Sequence, residues 1–444
     1  MKRRIFLQST LVGFAGTCLP RSIFAADAAA SAASTTPAAA PTATPAELTP
    51  EAFLYKAGRR NVAIHDPSAI IKCKDEYWVF YTNNRSYRSK DMLNWTNGPA
   101  VLAAPFPWFA QAIPGGFRGT GFWAPDCIKV GDKYFLFYAL SGFGVNTSAI
   151  GLVTNTTLDP TDPAYAWADQ GMVVQSTASD DFNCIDPAAI VDADGKLWLA
   201  FGSFWTGIKM IALDATGHRI PGSPLYALAQ NPLHATETNE GKLEDPINKS
   251  QIEASYLYHH DKYYYLFVTW GLCCHGVAST YNIRVGRSEK VTGPYLDKDG
   301  KDLAHDGGTL LLGTEGPVVP GVSPNAGSRG AFPPPPSEVH ALTGPGQPGI
   351  YEENGQYWFS CHYYDGTAAG ASILSIRPLT WDASAWPVVG LYPDPAPMPT
   401  VRFNQGRGAR RGGAGANPPP TPAATSTASP ATATTSATPA PTTN

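Results

Sequence analysis

The chain has 444 residues, of which 43% are hydrophobic, 11% aromatic and 15% charged, with a formal net charge of −4 at pH 7. That is ample apolar material for one large core, and all-β domains of such length often stay single. A faintly acidic chain without a Lys/Arg stripe in its central part has no general attraction for phosphate backbones, which argues against nucleic acid as a partner.

In chain order, Lys2-Arg3-Arg4-Ile5-Phe6-Leu7 precedes an apolar stretch from Leu11 to Leu19 and then Ala25-Ala26-Asp27-Ala28, which suits signal-peptidase cleavage. Residues 1–26 are read as an export signal. The paired arginines followed by Phe6 and Leu7 resemble a twin-arginine signal, which implies export after folding and a periplasmic or extracellular address. The apolar run falls short of the roughly 20 residues needed to cross a bilayer, so no membrane span is expected once the signal is removed. Residues 27–48 form an Ala/Thr/Pro-rich linker, 49–402 the folded domain, and 403–444 a Gly/Arg and then Pro/Thr/Ala-rich tail, with linker and tail expected to be disordered.

Within 49–402 one unit recurs: an apolar strand, a polar turn and a strand dense in aromatic and β-branched residues. The copies are DPSAIIKCKDEYWVFYT from Asp66, WAPDCIKVGDKYFLFYA from Trp123, DPAAIVDADGKLWLAFG from Asp186, IEASYLYHHDKYYYLFVT from Ile252 and GQPGIYEENGQYWFSCHYY from Gly346. Counting back eleven residues from Tyr77, Tyr134, Leu197, Tyr263 and Tyr357 gives those five starts. Their spacing is too long for a solenoid and suits a five-bladed β-propeller, with four-stranded antiparallel blades around an axial pocket. No long segment of helical period lies in the core region, which disfavours a doubly wound α/β fold. The Pro/Gly-rich stretch 313–344, with Pro333 to Pro336, reads as an inserted surface loop, either inert or covering the cleft.

After signal removal six cysteines remain: Cys73, Cys127, Cys184, Cys273, Cys274 and Cys361. Their spacing matches no zinc pattern. Cys273-Cys274 is read as a vicinal disulfide or two packed thiols, and the others as small core residues.

Equivalent strand starts of a propeller meet around its axis, so the carboxylates at or beside that position are the chemical signal. Asp66, Asp186 and Glu253 stand there in blades one, three and four. A single Asp-Pro is ordinarily just a strand start. Two of them 120 residues apart, with a glutamate in a third blade, place three poorly solvated acids together, and that suggests chemistry. Hydrolysing a glycosidic bond with inversion needs one carboxylate to activate water and one carboxylic acid to protonate the leaving oxygen, roughly 6.5 to 9.5 Å apart. A neighbouring ionised carboxylate keeps the acid protonated by disfavouring a second negative charge.

Over most of residues 60 to 390 the chain resembles glycoside hydrolase family 43, and within it the arabinan endo-1,5-α-L-arabinosidases. The resemblance rests on His65-Asp66-Pro67, Trp123-Ala124-Pro125-Asp126, the segment Phe143 to Gly151, Ile185-Asp186-Pro187, Phe201 to Gly207, Ile252 to Tyr256 and Ser279 to Arg287. It implies Asp66 as general base, Glu253 as general acid and Asp186 as the residue that tunes and orients the acid. Trp123, Phe143, Asn183 and Ser203 then contact arabinan, and no organic cofactor is needed. Family members hold an axial Ca2+ through a histidine after Gly-Pro-Gly, where this chain has Gln347 behind Gly344-Pro345-Gly346. Gln347 falls in register with Glu253 by count, and its amide oxygen suits a hard cation directly or through water. A monomer is expected. Two other readings stay open: an exo-acting α-L-arabinofuranosidase or β-xylosidase on the same scaffold, and a carbohydrate-binding propeller without catalysis.

Overall fold

A computed structural model describes residues 62–114, 121–231, 250–328 and 335–390. The expected signal, linker and tail lie outside the described residues, as does most of the tetraproline run's neighbourhood at 329–334. No helix of the described residues is long and apolar enough to cross a membrane.

Five antiparallel sheets follow one another along the chain, four of four strands and the last of five. Blade one holds β1 (Ile71–Cys73), β2 (Glu76–Tyr81), β3 (Arg85–Ser89) and β4 (Trp95–Asn97). Blade two holds β5 (Trp123–Val130), β6 (Lys133–Leu140), β7 (Ser148–Asn155) and β8 (Ala168–Ser176). Blade three holds β9 (Ala188–Val191), β10 (Leu197–Phe201), β11 (Ile208–Leu213) and β12 (Tyr226–Ala229). Blade four holds β13 (Ile252–His260), β14 (Tyr263–Trp270), β15 (Asn282–Ser288) and β16 (Thr309–Leu312). Blade five holds β17 (Glu315–Val318), β18 (His340–Glu353), β19 (Gln356–Asp365), β20 (Ala371–Trp381) and β21 (Pro387–Val389).

The aromatic-rich second strands explain the ring. Side chains alternate along a strand, so a strand buried on both faces reads as an unbroken apolar run. In β6, Leu136 and Tyr138 pack toward Trp78 and Phe80 of blade one, while Phe135 and Phe137 pack toward Leu199 and Phe201 of blade three. The pattern repeats through Tyr264 and Leu266, then Tyr265 and Phe267, then Phe359 and Tyr363. It closes where Trp358 and Ile376 of blade five meet Val79 and Tyr81 of blade one. Five blades thus share five cores. Truncating an anchor as buried as Trp78 costs about 3–5 kcal/mol, felt by two blades at once.

The ring is fastened by the chain's earliest described residues. Ile64 donates its N–H to Ser372 at 3.1 Å, Leu374 donates to Val62 at 2.9 Å, and Ala63 bridges Ile373, so 62–64 extends blade five before blade one begins.

The stretch 313–344 is not merely a surface loop. Its start forms β17, which pairs with β18 at Glu315 opposite Leu342 and Val318 opposite His340. The cause is Glu315, whose carboxylate accepts from the Tyr363 hydroxyl at 2.5 Å and pairs with the buried Arg377 guanidinium. The attraction of a carboxylate for this interior guanidinium draws the segment onto the blade.

Candidate active site

In every blade the start of the innermost strand and the loop joining the second and third strands emerge at the same end, because antiparallel pairing sets them side by side: Trp123 faces Ala139, and Glu253 faces Thr269. One residue per blade there has left-handed backbone: Asp66 (φ 52°), Ala124 (36°), Asp186 (56°), Ala254 (52°) and Gln347 (56°). A positive φ in such residues is strained by about 1–3 kcal/mol, and strain of this kind gathers at functional sites. The following residues, Pro67, Pro125, Pro187, Ser255 and Pro348, line a narrow axial passage with Ser68, Asp126, Tyr256 and Gln347. The passage is narrow, so the ring of strand starts around it forms a cup with a constricted base.

This ring corrects the register obtained by counting. The equivalent residues are 66, 124, 186, 254 and 347, because the first hairpin differs in length between blades. Gln347 therefore matches Asp66, Asp186 and Ala254, and Glu253 stands one residue earlier, level with His65 and Trp123.

Asp66 sits in a cationic and hydrogen-bonded frame. Thr82 Oγ1 donates to its Oδ2 at 2.8 Å, His65 Nδ1 lies 2.8 Å from the same oxygen, and its backbone N–H donates to His362 Nδ1 at 3.3 Å. Burial works to raise its carboxyl, but His65, His362 and Thr82 prevail and hold it near 2. His65 stacks on His362 with centroids 4.5 Å apart, and its Nε2 lies 2.7 Å from the Tyr364 hydroxyl. Burial would lower His65, yet Asp66 beside it raises it well above the ordinary histidine value; burial lowers His362 to about 3.

Glu253 is the counterpart. Ser203 Oγ donates to its Oε2 at 2.6 Å and the Tyr281 hydroxyl donates to its Oε1. Burial raises its carboxyl to about 7 in spite of both donors, and the fields of Cys274 and Asp66 add to the rise. Asp186 is raised well above the ordinary range by burial, by Glu253 and by Asp66, while accepting the Ala254 N–H at 3.0 Å. Tyr281 lies 6.0 Å from His362, ring to ring, which links the Glu253 side of the cup to the Asp66 side.

The other expected residues divide. Ser203 reaches Glu253 directly. Asn183 is buried and accepts from Ser148 Oγ at 2.7 Å, which itself lies 2.7 Å from Ser141 Oγ, so Asn183 clamps the base of the loop between β6 and β7. Phe143, at the tip of that loop, is 82% exposed on the same end of the ring. Trp123 is half-buried against the blade two–three core. Gln347 is buried beside the axial passage with the Asp126 carboxylate and the Ser255 hydroxyl, whose Oγ has no partner. That donor set is oxygen throughout, the chemistry a hard cation accepts. Thr82, Tyr281 and Tyr364 were not singled out by sequence; Tyr281 lies in the segment Ser279–Arg287 that carried the resemblance.

The six cysteines among the described residues are free thiols, four of them buried. Cys273 and Cys274 remain two thiols, Sγ to Sγ 2.8 Å, with Cys274 Sγ 3.7 Å from His65 Nε2.

A β-propeller with two buried acids and a half-buried third, of opposed proton affinity, at one end of its ring is the scaffold of a glycosidase. The chain belongs to the glycosyl hydrolases family 43, whose model matches residues 61–320. It is 37% identical to an extracellular endo-α-(1→5)-L-arabinanase of Bacillus subtilis over 335 residues, 74% of this chain and 88% of that protein. It is 34% identical to an extracellular exo-α-(1→5)-L-arabinofuranosidase of Cellvibrio japonicus over 336 residues, 75% of this chain and 88% of that one. Among solved structures, the Cellvibrio cellulosa α-L-arabinanase in complex with arabinohexaose shares the fold at TM-score 0.63 and 33% identity, covering 74% of this chain and 96% of that one.

Proposed function

We propose that this protein is an exported endo-α-1,5-L-arabinanase that hydrolyses arabinan by single displacement with inversion. One observation carries the reading: of the acids converging on the cup, Asp66 is held ionised near 2 while Glu253 is held protonated to about 7. Asp66 is then the base that takes a proton from water, and Glu253 the acid that delivers one to the departing glycosidic oxygen. Asp186 accepts from the backbone beside Glu253, orients it, and opposes its ionisation. Phe143 and Trp123 offer aromatic faces to the apolar side of arabinose rings, with Asn183 setting the loop that bears Phe143.

The reading of endo action draws on the higher identity to the Bacillus enzyme, since the Cellvibrio relative is named as exo-acting. Both names carry α-1,5-arabinosyl cleavage, which sets aside a β-xylosidase or a propeller without catalysis. The extracellular relatives support secretion, and Arg3-Arg4 favours the twin-arginine route. A Ca2+ at the axis would be held by the Gln347 amide oxygen, directly or through water, and would supply positive charge beneath the acids.

The test is the rate of viscosity loss against reducing-end release on debranched arabinan, with NMR of the first product. A fall in viscosity well ahead of reducing ends, and an inverted anomer, are expected. Arabinose released singly from the outset refutes endo action, and a retained anomer refutes single displacement. Glu253→Gln and Asp66→Asn should each lose on the order of 10²–10⁴-fold in kcat. For the ion, dialysis against a Ca2+ chelator should lower the melting temperature and added Ca2+ restore it; an unmoved melting temperature removes Ca2+ from the scheme.

A further inference from the structure

We propose that His65, Cys273 and Cys274 form a binding site for a soft divalent cation of the Zn2+ type, separate from any hard cation on the axis. One ligand atom from each of the three lies within 4.8 Å of the others, and all three residues are half-buried, open to an ion arriving from the cup. Sulfur and imidazole nitrogen select Zn2+, Cd2+ or Co2+ over Ca2+, which takes oxygen.

The geometry matches such an ion in two respects. Tetrahedral zinc with Zn–S of about 2.3 Å and Zn–N of about 2.0–2.1 Å sets sulfur and nitrogen about 3.6 Å apart. Cys274 Sγ and His65 Nε2 are 3.7 Å apart. The ring's other nitrogen, Nδ1, stands 2.8 Å from Asp66 Oδ2, which completes the carboxylate–histidine–metal arrangement that fixes a liganding imidazole in the tautomer with Nε2 free. The vicinal pair is set for sharing one ion by the left-handed backbone of Cys274 (φ 65°), which brings both sulfurs to the same place, 2.8 Å apart. A rotation of the Cys273 side chain opens that gap to the about 3.8 Å that two zinc-bound sulfurs require. The Tyr364 hydroxyl, 2.7 Å from His65 Nε2 and accepting the Cys274 N–H at 2.7 Å, keeps ring and loop in place until an ion takes the Nε2 position.

On binding, the two cysteines and the His65 ring give up to solvent the protons they carry on Sγ and Nε2, two sulfur–metal bonds and one nitrogen–metal bond form, and water fills the fourth position. No electrons move. His65 is then committed on both nitrogens, and Asp66 acquires a cation one ring away. The consequence is an ion seated beside the base, one imidazole away from Asp66.

The experiment uses the whole exported protein, reduced and freed of reductant under anaerobic conditions, titrated with Co2+ alone and read by absorption. One equivalent should produce a thiolate-to-cobalt charge-transfer band in the near ultraviolet with tetrahedral bands in the visible, and Zn2+ should bleach both. Cys273→Ser/Cys274→Ser should show neither band, and Cys273→Ser should keep roughly half the charge-transfer intensity, one thiolate of two. Circular dichroism checks that each variant is folded. Absence of the charge-transfer band in the wild type, or its persistence in the double variant, overturns the proposal. Both results are independent of whether the chain cleaves arabinan.

Discussion

Replacing Tyr281 by Phe removes one of the two hydroxyls that donate to Glu253 and leaves a ring of nearly the same size in the same place. Those hydroxyls favour the ionised carboxylate, so the loss moves the Glu253 pKa upward from about 7. A hydrogen bond to a charged group is worth about 1.5–3 kcal/mol, and one pKa unit about 1.4 kcal/mol, so the expected rise is about one to two units. Because the acid must be protonated to act, activity falls on the alkaline side as Glu253 ionises. In Tyr281→Phe that alkaline limb of kcat/KM therefore shifts upward by about one to two pH units. The acidic limb, set by Asp66 near 2, stays where it was. The assay is reducing-end release from debranched arabinan across the pH range, with kcat and KM resolved at each point. A limb that stays fixed, or moves down, refutes the assignment of Glu253 as the proton donor steadied by Tyr281, whatever happens to the maximal rate.

The same carboxyl makes stability depend on pH. Glu253 is held above its ordinary value of 4.5, so its favourable contribution is complete below 4.5 and is lost as pH rises through about 7. The loss is roughly 3 kcal/mol, from about 1.4 kcal/mol per unit. Glu253→Gln has no proton to lose, so its melting temperature should overtake that of the wild type above pH 7 and not in acid; parallel melting curves at all pH values would contradict this. Phe143→Ala should leave the melting temperature unchanged, since the ring is exposed, and raise KM about two- to twelvefold for a stacking energy of about 0.5–1.5 kcal/mol. An unaltered KM takes Phe143 out of the cleft. Gly276→Ala should destabilise by about 1–3 kcal/mol in thermal melts, because its Cβ would meet the Ala326 carbonyl at 2.3 Å and its backbone stands at φ 53°. A neutral substitution there would mean that 323–328 is not held against the 276–278 turn.

The five hairpins were legible because a strand packed on both sides writes its burial as an uninterrupted apolar run, and Tyr134 to Leu140 has no other reading as a half-exposed strand. The acids were legible because Asp66 and Asp186 share a proline neighbour and a ring position. The ring positions of the remaining blades were not, since hairpins of unequal length shift a count made from the second strand, and Ala124, Ala254 and Gln347 share no side-chain chemistry that would expose the error. Ser203 was read as a sugar contact and its hydroxyl also reaches Glu253, which was not foreseen: a serine in a loop looks the same whether it meets a sugar or a carboxylate. Tyr281 was hidden for a different reason. It reaches Glu253 from a third-strand approach 28 residues away, and nothing local to Thr280-Tyr281-Asn282 distinguishes a hydroxyl aimed inward from one among 20 tyrosines. The Glu315–Arg377 pair was likewise invisible, being a long-range match between two residues of unremarkable neighbourhoods.

The fastening of Val62–Ile64 onto blade five gives the ring a clasp whose two halves are made at opposite ends of synthesis. No partial chain emerging from the ribosome holds both, so the circle snaps shut only after blade five is complete, and until then the faces of Val79 and Trp358 lack one another. Trimming from the front has a limit as well: a protease that stops before Val62 leaves the clasp whole, and one that cuts past Ile64 leaves blades one and five held together by their shared core alone.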